Sequence, residues 1–586
     1  MFKKLRHLFF LFLIMTVLSS LYAFGAFAAS APGGARGGMP EGMGPPSGGG
    51  PGGPPGGGMG GPPGGDAGGP PGGGGGMGMF GAPSNAAIYI ENGVENSEKE
   101  YTAGQYTANI KSDAKGITIR NLNLTSGDYT FNGVVATGAN TVVTLDKCKM
   151  KLGVTKEADP NDSGGSAVSV NDSATMYIKN SDLTVDGAQR YVTNTSDTSK
   201  LIVNDSSVTQ TGSNEFTTKM SEPFSNPALL ISGIARANMS TGSSGTYYFN
   251  STCTTEGWAS LSTDASSGNL NLYAYNSKAI AQHGGYGTYA DFDCYVWLYG
   301  STLEAAEVGA IISKSGQVMV ADGASAPKDV TKYNTGKSTK AGSKVIGGRN
   351  AVMIHAPDMM GEGKAAADCG TLDVINSTLA TSRNLKSTRD YAETYGPAIG
   401  AYVDYIRGAA LLIKSTSANI NFDNAKFDSY SGVNIMTALN SDSMGNYLAE
   451  GDGDDVNPIA ITMKNMDVKG DIKHMDYQRI MTLSLDNNTT LNGAVVSGTM
   501  EEWNKLWSAY KKEDCNWVVN DSWNTVYGVR MTVKKGATWK VTGKSTLSSL
   551  KLEKGGTIKG KVQVDGKTVT PDAGKTYTGN IVVMPL

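Results

Sequence analysis

One pattern recurs along most of this chain and limits what it can fold into. A short strand of alternating apolar and polar residues is followed by Asn, Asp or Gly with Ser or Thr, and then by a second short strand. Met176-Tyr-Ile-Lys-Asn-Ser-Asp-Leu-Thr-Val185, Leu201-Ile-Val-Asn-Asp-Ser-Ser-Val208 and Leu272-Tyr-Ala-Tyr-Asn-Ser277 carry it. So do Val296-Trp-Leu-Tyr-Gly-Ser-Thr-Leu303, Leu372-Asp-Val-Ile-Asn-Ser-Thr-Leu379, Ile420-Asn-Phe-Asp-Asn424, Ile461-Thr-Met-Lys-Asn465 and Leu483-Ser-Leu-Asp-Asn487. The corners are expected at Asn180, Asn204, Asn250, Asn276, Gly300, Asn376, Asn424, Asn465 and Asn487. Several steps are about two dozen residues, and others are near double that, as insertions would give.

A period of two within each strand means that one face is buried and the other is wet. Repetition at about two dozen residues means that each unit buries its apolar face on its neighbours. Asn fits the corners because it tolerates left-handed backbone angles, and stacked Asn side chains can hydrogen-bond along the stacking axis. The repeat grammar resembles the right-handed parallel β-helix of the pectin-lyase-like superfamily over residues 85–586. That resemblance implies an all-β solenoid of some twenty turns, each rising about 4.8 Å. The stretch Trp539-Lys-Val-Thr-Gly-Lys-Ser-Thr-Leu-Ser-Ser-Leu-Lys-Leu-Glu-Lys-Gly-Gly-Thr-Ile558 is similar to units near the end of autotransporter passengers and related adhesins, but no translocator barrel follows it. One helical insertion is expected at about 500–512. Thr499 and Glu502 form a capping box, and Trp503, Leu506, Trp507 and Tyr510 form one apolar stripe.

The N-terminus reads as an export signal over residues 1–28. Lys3, Lys4 and Arg6 precede an apolar run from Leu8 to Phe24, and Ala26-Phe27-Ala28 offers a small-x-small cleavage site. The expected location is secreted or cell-surface, with no integral membrane domain after cleavage. Residues 29–84 are expected to be a disordered linker. Between Ala31 and Phe80 lie 26 of the 77 glycines and 11 of the 21 prolines, which leaves almost nothing to bury. The run Gly-Gly-Gly-Pro-Gly-Gly-Pro-Pro breaks the strict triplet that a collagen helix needs.

Charge excludes one class of partner. With 50 Lys+Arg against 53 Asp+Glu and a net charge of -3, the chain lacks the basic excess of a nucleic-acid binder. Four histidines leave little for a histidine-built metal centre, and no resident cofactor is expected. The five cysteines, Cys148, Cys253, Cys294, Cys369 and Cys515, are scattered and odd in number, so they read as small buried residues rather than a disulfide framework.

Candidate chemistry is sparse. In Lys473-His-Met-Asp-Tyr-Gln-Arg479, a strand would put Lys473, Tyr477 and Arg479 on one face and His474 with Asp476 on the other. A base and a cation on one face would suit uronate proton abstraction in a polysaccharide lyase. A solvated polar strand is the simpler reading. A second cluster holds Tyr402, Asp404, Tyr405 and Arg407 near Glu393 and Tyr395, but in a strand Asp404 and Arg407 would face opposite ways. Glu450, Asp452, Asp454 and Asp455 would suit Ca²⁺, although the glycine and distal Glu of an EF-hand loop are missing. His283 and His355 stand alone in sequence.

These observations lead to an exported, non-catalytic β-helix protein that binds glycans or host and cell-surface molecules as an adhesin. The 26 tyrosines against 14 phenylalanines would supply amphipathic contact area. A polysaccharide lyase or glycoside hydrolase of the same fold is the first alternative, and a structural surface-layer component the second.

Overall fold

The computed structural model describes residues 86–95, 105–153, 164–187, 190–212, 235–257, 259–266, 268–313, 315–355, 369–387, 393, 397–414, 416–438, 458–476, 479–498 and 528–586. The signal and linker expected over 1–84, the helix expected at 500–512 and Cys515 lie outside these residues. The description that follows concerns the unit Phe80–Leu586.

The fold is all-β, with long sheets of parallel strands. Between Val168 and Asp423 each strand pairs in parallel with the strand three places before it and three places after it. One rung is Val168–Asn171, Thr175–Lys179 and Asp182–Asp186, and the next is Tyr191–Thr195, Lys200–Asn204 and Ser207–Thr211. Strand-for-strand stacking of such rungs gives three ladders, an arrangement compatible with a β-helix. The first ladder belongs to a sheet of 14 strands, one of them the antiparallel Val94–Glu95, fewer than twenty turns would give, because insertions such as 322–343 consume chain between rungs.

Period-two patterning produces the core. In the second ladder Val296, Val318, Leu372, Ile420, Ile461 and Leu483 stack in register, and all are buried. Their strand neighbours alternate outward, as the repeated buried–intermediate pattern shows. Full burial of one such aliphatic side chain stabilises the fold by roughly 1.5–3 kcal/mol, so each rung depends on those beside it.

The corner between the second and third ladders follows the expected chemistry. Asn180, Asn250, Asn276, Asn376, Asn424 and Asn465 have φ of 51°, 49°, 47°, 50°, 50° and 55°, and Gly300 has 60°. At two corners the turn falls one residue later than expected, on Asp205 (47°) and Asn488 (53°). Asn204 instead ends its strand, in register with Lys179 and Phe249. The Asn276 amide donates to Asn250 Oδ1 at 2.6 Å, and that of Asn424 to Asn376 Oδ1 at 2.8 Å.

The serines that follow the corners up to Asn376 do as much. Ser206 N–H donates to Ser251 Oγ at 3.2 Å, Ser251 N–H to Ser277 Oγ at 3.2 Å, and Ser277 N–H to Ser301 Oγ at 3.0 Å. Ser301 N–H and Ser343 N–H continue the chain to Ser343 and Ser377, at 3.0 Å each. These hydroxyls pair corner N–H groups that no ladder bond reaches.

Two short α-helices occur among the described residues, Lys328–Thr331 and Pro397–Ile406, neither anticipated from the sequence. Pro397 opens the longer one, where its fixed φ suits a first helical position, and Val403 with Ile406 is buried. Antiparallel strands flank the stack. Gln105–Asp113 pairs with Gly116–Ser126 before it, and Ser545–Leu552 pairs with Thr576–Met584 after it. Trp539 is fully buried and donates from Nε1 to Gly493 O at 3.0 Å. Cys148, Cys253, Cys294 and Cys369 are buried. No helix among the described residues is long and apolar enough to cross a membrane.

Candidate functional site

On the inner side of the first ladder Ala290, Ile312, Ile354 and Ile413 belong to the core. The residue after each therefore faces outward, because strand neighbours alternate. Ser313, His355, Lys414 and Ala438 are in register on that outer face. Extending the Ala290–Ile312 register by one place puts Asp291 beside Ser313. The pairing register ends at Ser262–Tyr289, where the strand becomes irregular, and the Asp264 side chain stands within hydrogen-bonding reach of Asp291. The outer face thus carries one row, Asp264, Asp291, Ser313, His355 and Lys414, with neighbours about 4.8 Å apart.

The row is not solvated in the ordinary way. Asp291, Ser313, His355 and Lys414 are buried, and only Asp264 is substantially open, with 37% of its side chain exposed. Asp264 lies 3.5 Å from the guanidinium of buried Arg236, which also sits 5.9 Å from the Tyr191 ring. Burial and the neighbouring Asp264, which hydrogen-bonds to it, hold the Asp291 carboxyl well above the usual carboxylate range. Burial raises the phenols of Tyr286 and Tyr289, whose rings are 5.5 Å apart, so both stay neutral. Burial opposes the charge of Arg236, but Tyr191 and Asp264 outweigh it and keep the guanidinium protonated. The result is a neutral acid beside an ion-paired carboxylate, walled by phenols.

The candidates drawn from sequence fare differently. The strand carrying Lys473 is only Asp471–His474, so Lys473 and Arg479 do not share a strand face. Lys473 is half-buried, in register with Met436 on the outer side. Arg479 is buried beyond the strand end, with Nε 3.7 Å from Asp476 and Nη1 donating to Ser417 Oγ at 3.2 Å. His474 points inward, with Nδ1 2.9 Å from Thr437 Oγ1 and Nε2 2.8 Å from Arg479 O. The chain turns at Met475 because Thr437 Oγ1 takes the N–H groups of Met475 and Asp476, both at 2.9 Å, and so ends the strand. Tyr477 lies outside the described residues.

Asp404 and Arg407 do come together. Pro397–Ile406 is a helix rather than a strand, and the i,i+3 spacing leaves their charged groups 3.7 Å apart. Tyr395 and the acidic segment Glu450, Asp452, Asp454 and Asp455 lie outside the described residues. Among the described residues no group of three or more His, Cys, Asp or Glu side chains could hold a metal ion. Sequence reasoning missed Asp264, Asp291 and Lys414 and left His355 isolated, because the insertions between rungs hide their common register. No protein-family model, curated protein or solved structure matches this chain.

Proposed function

We propose that this chain is an exported, right-handed parallel β-helix protein that binds glycan polymers at a cell surface or outside the cell, in the manner of an adhesin. Right-handedness rests on the near-universal hand of parallel crossover connections. The observation that carries the binding reading is the in-register row on the first ladder. A linear polymer meets this row at its exposed Asp264 end, since Asp291, Ser313, His355 and Lys414 are buried behind it. Buried ionisable groups outside a hydrophobic core cost stability, which favours a role in recognition for this row.

Cleavage is the second reading, and the Asp264–Asp291 pair favours it. Distance argues against it. Two-carboxylate glycoside hydrolysis works with carboxyl groups about 5–9.5 Å apart, whereas these two are hydrogen-bonded to each other. A surface-layer role would need open, self-complementary ends, and the flanking antiparallel strands oppose it.

The test is a glycan array with the full chain, coupled to detection of reducing or unsaturated ends. Binding without products supports an adhesin. Products that disappear in Asp264→Asn or Asp291→Asn would make the chain an enzyme. Ordered self-assembly without glycan affinity would point to a surface layer.

A further inference from the structure

A second charged cluster lies at the corner where the chain enters the first ladder. Glu307 and Arg349 are fully buried there with their charged groups 3.7 Å apart, and neither Glu307 oxygen makes a hydrogen bond. Tyr430 reaches over to the backbone beside this pair. Its hydroxyl donates to Gly348 O at 3.3 Å, and its N–H donates to Thr381 Oγ1 at 3.1 Å. The ring packs so closely on Gly408 (φ +92°) that a Cβ there would stand 2.7 Å from a ring carbon, so only glycine fits. The Arg383 guanidinium lies over the same ring, 4.9 Å from its centroid. Arg407 approaches from the helix end with 32% of its side chain exposed. Its Nε is 3.7 Å from Asp404, too far for a hydrogen bond, and that nitrogen makes none elsewhere. Burial raises the Tyr430 phenol while Arg407 and Arg383 pull it down, so both guanidiniums act on one point.

Two guanidiniums, those of Arg383 and Arg407, therefore converge on Tyr430, and the carboxylate paired with Arg407, Asp404, is 81% exposed and free to swing into solvent. A planar guanidinium offers paired donors that match a carboxylate or sulfate, and the contact with the Tyr430 ring positions Arg383. We infer that Arg383 and Arg407, held beside the buried Glu307–Arg349 pair by Tyr430, form a site for an oxyanion substituent, carboxylate or sulfate ester, on the glycan. This rests on the glycan-binding reading but on different residues from the Asp264–Lys414 row. The row would meet the polymer at its Asp264 end, and the arginines would select for its charge.

The test uses the full chain against a sulfated glycosaminoglycan, a uronic-acid polymer and a neutral glucan, with inorganic sulfate as a small probe. One of the two anionic polymers should bind at least tenfold more tightly than the glucan, and which of them does so identifies the source of the anion. Arg383→Ala and Arg407→Ala should each weaken that binding about tenfold, with unchanged melting temperature. Arg383→Lys should recover only part, because it keeps the charge but loses the fork. Equal binding of neutral and anionic polymers, or full affinity in both alanine variants, overturns this inference and leaves the glycan reading standing. Sulfate binding that Arg383→Ala abolishes, without affinity for any polymer, keeps the anion site and overturns the glycan reading. Binding of none of the four probes overturns both.

Discussion

At the scale of single residues, the corner serines and the row acids are opposite uses of a buried polar group. Ser251 is fully paired: its Oγ donates to Phe249 O at 2.8 Å and accepts from Ser206 N–H at 3.2 Å. Ser251→Ala leaves that N–H without a partner in a buried corner, which costs about 1–3 kcal/mol. Urea unfolding should show the lower midpoint, and a loss below about 0.5 kcal/mol would mean that the corner relaxes onto another acceptor. Asp291 behaves differently because its folded pKa is raised. Its stabilising contribution is complete at pH values below the ordinary carboxylate range and is lost as pH rises toward the folded value. Asp291→Asn keeps a neutral donor beside Asp264, so melting temperature against pH should be flatter above pH 4 for the variant than for the native chain. Parallel curves for the two would show that Asp291 titrates normally.

At the scale of elements, aromatic content and aromatic availability part company. The second ladder carries Tyr247, Tyr273 and Trp297 in register on its outer face. Tyr247 and Tyr273 are stacked at 4.8 Å and 6°, and Tyr273 and Trp297 at 6.0 Å and 13°. These spacings lie near the rise between strands, so the rings lie across the stacking axis and present edges to solvent. Tyr333, from the insertion that carries Lys328–Thr331, covers Tyr247 at 5.2 Å. A sugar ring stacks on a face, and these faces are taken. Trp297→Ala should therefore lower stability by about 1–3 kcal/mol, less than a fully buried Trp would lose, while glycan affinity on the array stays within twofold. A tenfold loss of affinity in a folded variant would show that the ring edges are themselves the binding surface.

The corners were legible in the sequence because left-handed backbone demands a short list of residues, and Asn-Ser, Asp-Ser or Gly-Ser recurs at the corners from Asn180 to Asn376. The row on the first ladder was not. Asp264, Asp291, Ser313, His355 and Lys414 carry no common flanking motif, and insertions of unequal length separate them. Only pairing register brings them together. Lys473 and Arg479 erred in the other direction, because a polar run was read as one strand although Thr437 bends it after His474.

At the scale of the whole repeat unit, parallel stacking creates a hazard at each end, where a row of unpaired N–H and C=O groups would template another chain. The flanking strands answer it with charge. Gln105–Asp113 presents Lys111 and Asp113, 77% and 43% exposed, and the last layer is edged by Lys567–Val569, whose Lys567 is exposed. Between that edge and the stack lie Lys561–Val564 and Thr576–Met584, which place Val562, Ile581 and Val583 on the core. Removing residues 561–586 would uncover the full length of Ser545–Leu552 together with the apolar side chains of Leu547 and Leu550. Because each rung is stabilised mainly by its neighbours, the rungs before it should remain folded and present that edge to solvent. The truncated chain should then associate in a concentration-dependent way, measured by light scattering after gel filtration, while the full chain stays monomeric at the same concentration. A truncated chain that remains monomeric and folded would show that the last layer serves something other than protection of the edge. A full chain that assembles end to end would restore the surface-layer reading.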